Sequence, residues 1–226
     1  MIKIENLAAW GFSSAIRGMR NPMASWDKSD SYRNENGDFV VGKADLALMC
    51  KLCQAGPEHR KFMRQIVVSM DITAPLYWWK EYDTYKVGTV ADSCSTMHTI
   101  HKREFTLDDF STEHLSESGI DCLNGIIEVL NAARNAYVNY DALNEEYKNI
   151  PDLWEKGITC KKDLWWQMIQ LLPSSYNQKR TVTFNYENAW AMIHQRTGHK
   201  LDEWRKFVEE LKGLPFMREL IGGDRL

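Results

Sequence analysis

The residues able to do chemistry fall into a few groupings. CKLC, Cys50 to Cys53, is a C-x-x-C that serves either as a dithiol redox pair or as half of a zinc site. No second pair follows and the remaining cysteines stand singly, so the expected reading is two small apolar residues on a core-facing helix. His98 and His101, three apart beside Lys102 and Arg103, are either ligands for a metal or phosphate or part of a surface loop, and the loop is the simpler reading. Arg64 is a lone charge in an otherwise apolar alternating run, which places it either at a sheet rim or paired in a pocket. The absences are as informative: there is no G-x-G-x-x-G, Walker loop, H-E-x-x-H or G-x-S-x-G.

Composition narrows the field. A chain of 226 residues can bury a full core, and without repeats, low-complexity tracts or a Pro/Gly/Ser-rich linker a single domain over 1–226 is expected. The formal net charge of −3 argues against a general nucleic-acid or membrane-surface binder, while leaving room for a local basic pocket. No apolar run approaches the roughly 20 residues of a membrane span, and the opening MIKIENLAAWGF does not read as a secretory leader, so a cytoplasmic protein is expected. Five cysteines, an odd number in a chain too long to need staples, suit a reducing compartment. Nine tryptophans point to flat, stacking-prone walls, most of them in the core.

These residues need elements to position them. Asn21 to Gly42 is polar and reads as loops or a hairpin around DFVVG. ADLALMCKLCQ, 44–54, has helical spacing and stops at Gly56-Pro57. Phe62, Ile66, Val68, Met70 and Ile72 share one face at period two, interrupted by Arg64, which predicts a strand ended by Pro75. Residues 76–85 then read as helical and 87–95 as loop. Ile120, Leu123, Ile126, Ile127, Leu130, Ala133 and Tyr137 predict a long helix over Ser118 to Tyr147, closed by Asn149 to Pro151. KDLWWQMIQLL predicts a short helix ended by Pro173, RTVTFNY a strand, and 188–196 and 201–211 two more helices. Long helices around a small mixed or antiparallel sheet make an α+β fold.

The order of these elements resembles the flavin-dependent thymidylate synthases. In that family a strand beginning near E-H-x-x-F leads to a Pro and then to R-H-R-x-x-S-x-N-x-x-S-x-R; here GPEH, the alternating strand, ITAP, an aromatic and charged segment and a Ser/Thr-rich loop follow one another. Leu172-Pro173, RTVTFNY with Asn185, the helix ending at Gln195-Arg196 and the helix opening at Leu201-Asp202 continue the match, which covers about Ala44 to Phe207. The signature itself departs. Counted from Pro75 without gaps, its three basic residues fall on Thr84, Tyr85 and Lys86, and its later Ser, Asn, Ser and Arg fall on Thr89, Ala91, Cys94 and Thr96.

The resemblance implies FAD as cofactor, NADPH and methylenetetrahydrofolate as co-substrates, a pyrimidine deoxynucleotide (dUMP foremost) as acceptor, and a homotetramer with no metal, membrane or nucleic-acid partner. It implies cofactor-binding roles for His59, Tyr85, Lys86, Val87 and Asn185, substrate-binding roles for Glu81, Thr84, Ser95, Thr96 and Arg196, and catalytic roles for Asp92 and Cys94. Cys94 stands where the family has a Ser beside the reacting base, so it is either a nucleophile toward C6 or a small residue in a packed turn. Lys179, Arg180 and Arg64 are further cations able to compensate for the missing arginines. Tyr77, Trp78, Trp79, Tyr82 and Tyr85 either stack on a flavin or base or form core and subunit interface. The alternative reading of the decayed signature is a flavin- or nucleotide-binding oligomer that kept the scaffold and lost the chemistry.

Overall fold

In chain order the elements are β1 (Lys3–Trp10), α1 (Phe12–Arg20), β2 (Tyr32–Arg33), β3 (Phe39–Val40), α2 (Lys43–Ala55), β4 (Val67–Pro75), α3 (Leu76–Tyr82), β5 (Val90–Ser93), α4 (Thr96–Thr99), α5 (Glu117–Asn139), α6 (Lys161–Leu171), β6 (Asn177–Asn185), α7 (Tyr186–Arg196), α8 (Asp202–Lys212) and α9 (Met217–Leu220). They come from a computed structural model that describes residues 2–142 and 160–222. The far end of the predicted long helix and the closing Asn149 to Pro151 lie outside the described residues. Four strands form one sheet in the order β1-β4-β6-β5, and β2 pairs antiparallel with β3, Tyr32 opposite Val40. The architecture is α+β with a small sheet.

The chain divides into two compact units. The sheet unit comprises residues 2–72, 81–92 and 180–222. Its core draws on Val68, Met70 and Ile72 of β4, Val182 and Phe184 of β6, Ala189, Met192 and Ile193 of α7, and Trp204, Phe207 and Leu211 of α8, all buried. Strand alternation supplies the first two sets and helical spacing the others. A further brace is a buried ion pair in which Asp45, at the start of α2, accepts from Arg20 Nε at 2.6 Å, Ser29 Oγ at 2.6 Å, and Ser31 Oγ and N at 2.6 and 3.1 Å. Arg20 also donates to the carbonyls of Ser25 and Lys28, so the irregular segment after α1 is tied to both helices.

The helical unit comprises 73–80 and 93–179. Ser116 caps α5 by accepting from the Gly119 amide, and Leu123, Ile127, Leu130 and Ala133 line its buried face. Met168 of α6 joins them with Ile100, Phe105 and Phe110 in one apolar cluster. Trp79, buried, donates from Nε1 to the Gln178 carbonyl at 2.9 Å.

Two predicted elements differ from the observed ones, each for a physical reason. The strand predicted to include Phe62 starts only at Val67, because Arg60–Gln65 form a 3-10 turn that buries Phe62 and Met63 side by side. A strand would have put Arg64 on the buried face with Phe62; the turn puts it in solvent and lets it donate to Glu187. Residues 87–95 were expected as loop, yet Val90–Ser93 form the edge strand β5, exposed along its whole length and so without the apolar alternation that marks a strand.

Candidate functional site

Most of the residues singled out above lie in the sheet unit, on the segment 81–92 and at the two ends of α7. At the C-terminal end, Arg196 Nη1 donates to Glu81 Oε2 at 2.7 Å and its Nε donates to the Tyr85 hydroxyl at 2.9 Å. That hydroxyl donates onward to Gln195 Oε1 at 2.9 Å. The guanidinium lies 4.7 Å from the Trp204 ring centroid and 5.5 Å from that of Tyr85, so it rests against two aromatic rings as well as being paired. His199 Nδ1 accepts from the Leu201 amide at 3.2 Å, and its Nε2 lies 3.3 Å from the same Glu81 oxygen and 3.2 Å from Arg196 Nη1. Three residues named from sequence for two different ligands, Glu81, Tyr85 and Arg196, therefore form one hydrogen-bonded cluster.

At the N-terminal end, Asn185 caps α7: its side-chain oxygen accepts from the Asn188 amide at 3.0 Å, and Asn188 returns the bond to the Asn185 amide. The loop after Tyr85 is docked onto this cap. Asn188 Nδ2 donates to the Val87 carbonyl at 2.8 Å, and Thr89 Oγ1 donates to the Tyr85 carbonyl. Gly88 has φ +76°, and a Cβ there would lie 2.8 Å from Asn185 Nδ2, so this approach needs glycine twice over. Thr84 Oγ1 turns back to the Glu81 carbonyl at 2.7 Å. A cavity of about 210 Å³ opens beside the loop, lined by Tyr82, Asp83, Tyr85, Lys86, Thr89 and Ala91. Asp83 accepts from Arg180 Nη1 at 2.8 Å. Lys86 and Asp92 are exposed and have no side-chain partner among the described residues.

His59 stands apart from this set. It is exposed, 3.6 Å from Glu58, and precedes the 3-10 turn rather than the strand.

Cys94, Ser95 and Thr96 belong to the helical unit. Ser95 caps α4, accepting from the His98 amide at 3.3 Å, and Thr96 opens that helix. Cys94 is exposed; its backbone is fixed by the Lys179 carbonyl and by Gln178 Nε2, and its Sγ lies 3.7 Å from Thr99 Oγ1. Of the C-x-x-C pair, Cys53 is buried against Met63 Sδ and its thiol is pushed up to about 12 by burial, while Cys50 faces the Glu219 carbonyl. Neither is poised as a thiolate.

Sequence reasoning missed His199, Trp204, Asn188 and Gly88. The Asn-x-x-Asn spacing of 185–188 was a legible reciprocal cap. His199 and Trp204 reach Arg196 only because the chain turns at Gly198, φ +74°, a signal that pattern reading passes over.

A flavin needs a flat apolar wall, a donor at the ring edge and a cation for its pyrophosphate. The sheet unit offers the Tyr85 ring with the outward Val87 side chain, the Asn185 Nδ2 group beside Gly88, and the Lys86 ammonium, so the residues present fit the group.

No family model and no curated sequence matches the chain. Solved structures do. A Helicobacter pylori thymidylate synthase X with FAD and dUMP matches at TM-score 0.62 and 14% identity over 98% of this chain and 97% of that one. A flavin-dependent thymidylate synthase from the same organism, complexed with FAD and dUMP, matches at TM-score 0.64 and 16% identity over 99% of both chains. The chain has the fold of the flavin-dependent thymidylate synthases. At these identities the likeness shows the fold, and the side chains must carry any statement about ligands.

Proposed function

We propose that the protein is a flavin-dependent thymidylate synthase-like enzyme of the cytoplasm, acting as a homotetramer whose whole chain serves as one functional domain. It transfers and reduces a one-carbon unit from methylenetetrahydrofolate onto a pyrimidine deoxynucleotide, dUMP being the reference substrate, with NADPH as reductant. The observation that carries this reading is the convergence of Glu81, Tyr85 and Arg196 on one cluster, within a chain that follows the synthase fold over its full length. FAD, once bound and reduced by NADPH, would supply the hydride. Tyr85, Lys86, Val87 and Asn185 hold it, with His59 as an outlying contact. Glu81, Thr84, Ser95, Thr96 and Arg196 position the pyrimidine nucleotide, Asp92 hydrogen-bonds a base edge or ribose, and Cys94 is the nucleophile toward C6. The exposed Trp10, Met23 and Trp26 give the oligomer apolar surface to bury.

One observation favours a second reading, a binding oligomer without turnover: the arginines around the segment 81–92 are already paired with carboxylates of the same chain. Growth of a thymidine-requiring strain separates the two. Expression of the wild-type chain is expected to restore growth and expression of the Cys94→Ala variant to fail. Equal failure of both, with the protein folded and flavin-loaded, favours the binding reading.

A further inference from the structure

The nucleotide phosphate normally dominates recognition because arginine forks give it charge-assisted bonds. The charges of this site are arranged otherwise. Segment 81–92 carries Glu81, Asp83 and Asp92 against the single ammonium of Lys86. The two arginines that approach it, Arg196 and Arg180, are each held by one of those carboxylates, at 2.7 and 2.8 Å. Both guanidinium groups are mostly buried while Asp83 and Glu81 keep one side toward solvent, so an incoming phosphate would have to displace a carboxylate already in place at each arginine. Taken together, these six charged side chains have no net charge.

We infer that the site recognises the pyrimidine base and sugar with almost no contribution from the phosphate, so that a neutral pyrimidine deoxynucleoside is bound as well as its monophosphate. The inference rests on the pyrimidine-site reading above and changes what in the ligand is gripped. Glu81 is the specificity-determining residue: it occupies the Arg196 fork that a phosphate would otherwise take. Asp83 does the same at Arg180.

The test is calorimetric titration of the flavin-loaded full chain with deoxyuridine and with dUMP at low and moderate salt. The two ligands are expected to bind within about threefold of one another and to respond equally to salt, whereas a free Arg–phosphate fork would favour dUMP by about tenfold or more. Glu81→Gln keeps the shape and frees the fork, and is expected to move the ratio toward dUMP by about tenfold; Asp83→Asn gives a second, independent reading at Arg180. A wild-type preference for dUMP of tenfold or more overturns the inference and leaves the pyrimidine site standing. Unchanged ratios in both variants overturn the roles of Glu81 and Asp83. Binding of neither ligand overturns the pyrimidine-site reading itself and the inference with it.

Discussion

Replacing Gly88 by alanine perturbs the proposed flavin site at its narrowest point. At φ +76° an L-residue is disfavoured by about 1–2 kcal/mol, and the added Cβ would meet Asn185 Nδ2 at 2.8 Å and Asn188 Oδ1 at 3.0 Å. Relief comes by lifting the loop off the α7 cap, which breaks the Asn188 bond to the Val87 carbonyl, worth about 1 kcal/mol. Together these shift the docked loop by about 2–3 kcal/mol, or roughly 30- to 150-fold in its population. If the docked loop holds FAD, Gly88→Ala weakens flavin affinity by that factor, read by fluorescence quenching on titration. Because the loop can undock locally, the apparent Tm should fall by no more than about 4 °C. Gly37→Ala is the control: it shares a positive φ, +82°, but a Cβ there meets nothing within 4 Å, so flavin affinity should not move. A Gly88→Ala protein that binds FAD within about threefold of wild type would refute the loop's role.

Asp45→Asn leaves the buried Arg20 guanidinium without its counter-charge and is expected to lower the unfolding free energy by about 3–5 kcal/mol in urea denaturation; a loss below about 1 kcal/mol would contradict the brace. Burial alone would raise the Asp45 carboxyl, but bonds from Ser29, Ser31 and Arg20 more than offset it and hold it below the ordinary 3.8. Its stabilisation is therefore present above pH 3.8 and lost as pH falls through the lower folded value, so the variant should show a flatter acid limb than wild type. Cys94→Ala is expected to stop product formation while leaving flavin and pyrimidine affinities unchanged, since its Sγ lies against Thr99, a residue assigned to neither ligand; product formed at the wild-type rate would remove it as nucleophile.

Much of this arrangement was legible in the sequence because it rests on apolar periodicity. The helices α2, α5, α6, α7 and α8 follow spacing that buries one face, and β4 follows alternation up to Pro75. What escaped notice lacks such a face. Strand β1 is mostly exposed and turns at Asn6, φ +54°, and β5 is exposed throughout, so neither carries a period. Arg64 reversed the reading of its neighbourhood: a charge in an apolar alternation signalled a break in the strand, where the chain makes a 3-10 turn. Glu81, Tyr85 and Arg196 were singled out from the sequence and come together in one hydrogen-bonded cluster, yet the electrostatics around them were hidden. That Glu81 and Asp83 neutralise Arg196 and Arg180 depends on contacts across about a hundred residues of sequence, which spacing alone does not encode.

The most direct test of the flavin reading is an absorbance spectrum of the purified chain after FAD is added and excess is removed by desalting. Stoichiometric flavin retained on the folded protein is the expected result, with retention reduced in the Gly88→Ala variant. A folded protein that keeps no flavin would contradict the hydride-transfer mechanism and leave this chain as a synthase fold put to another use.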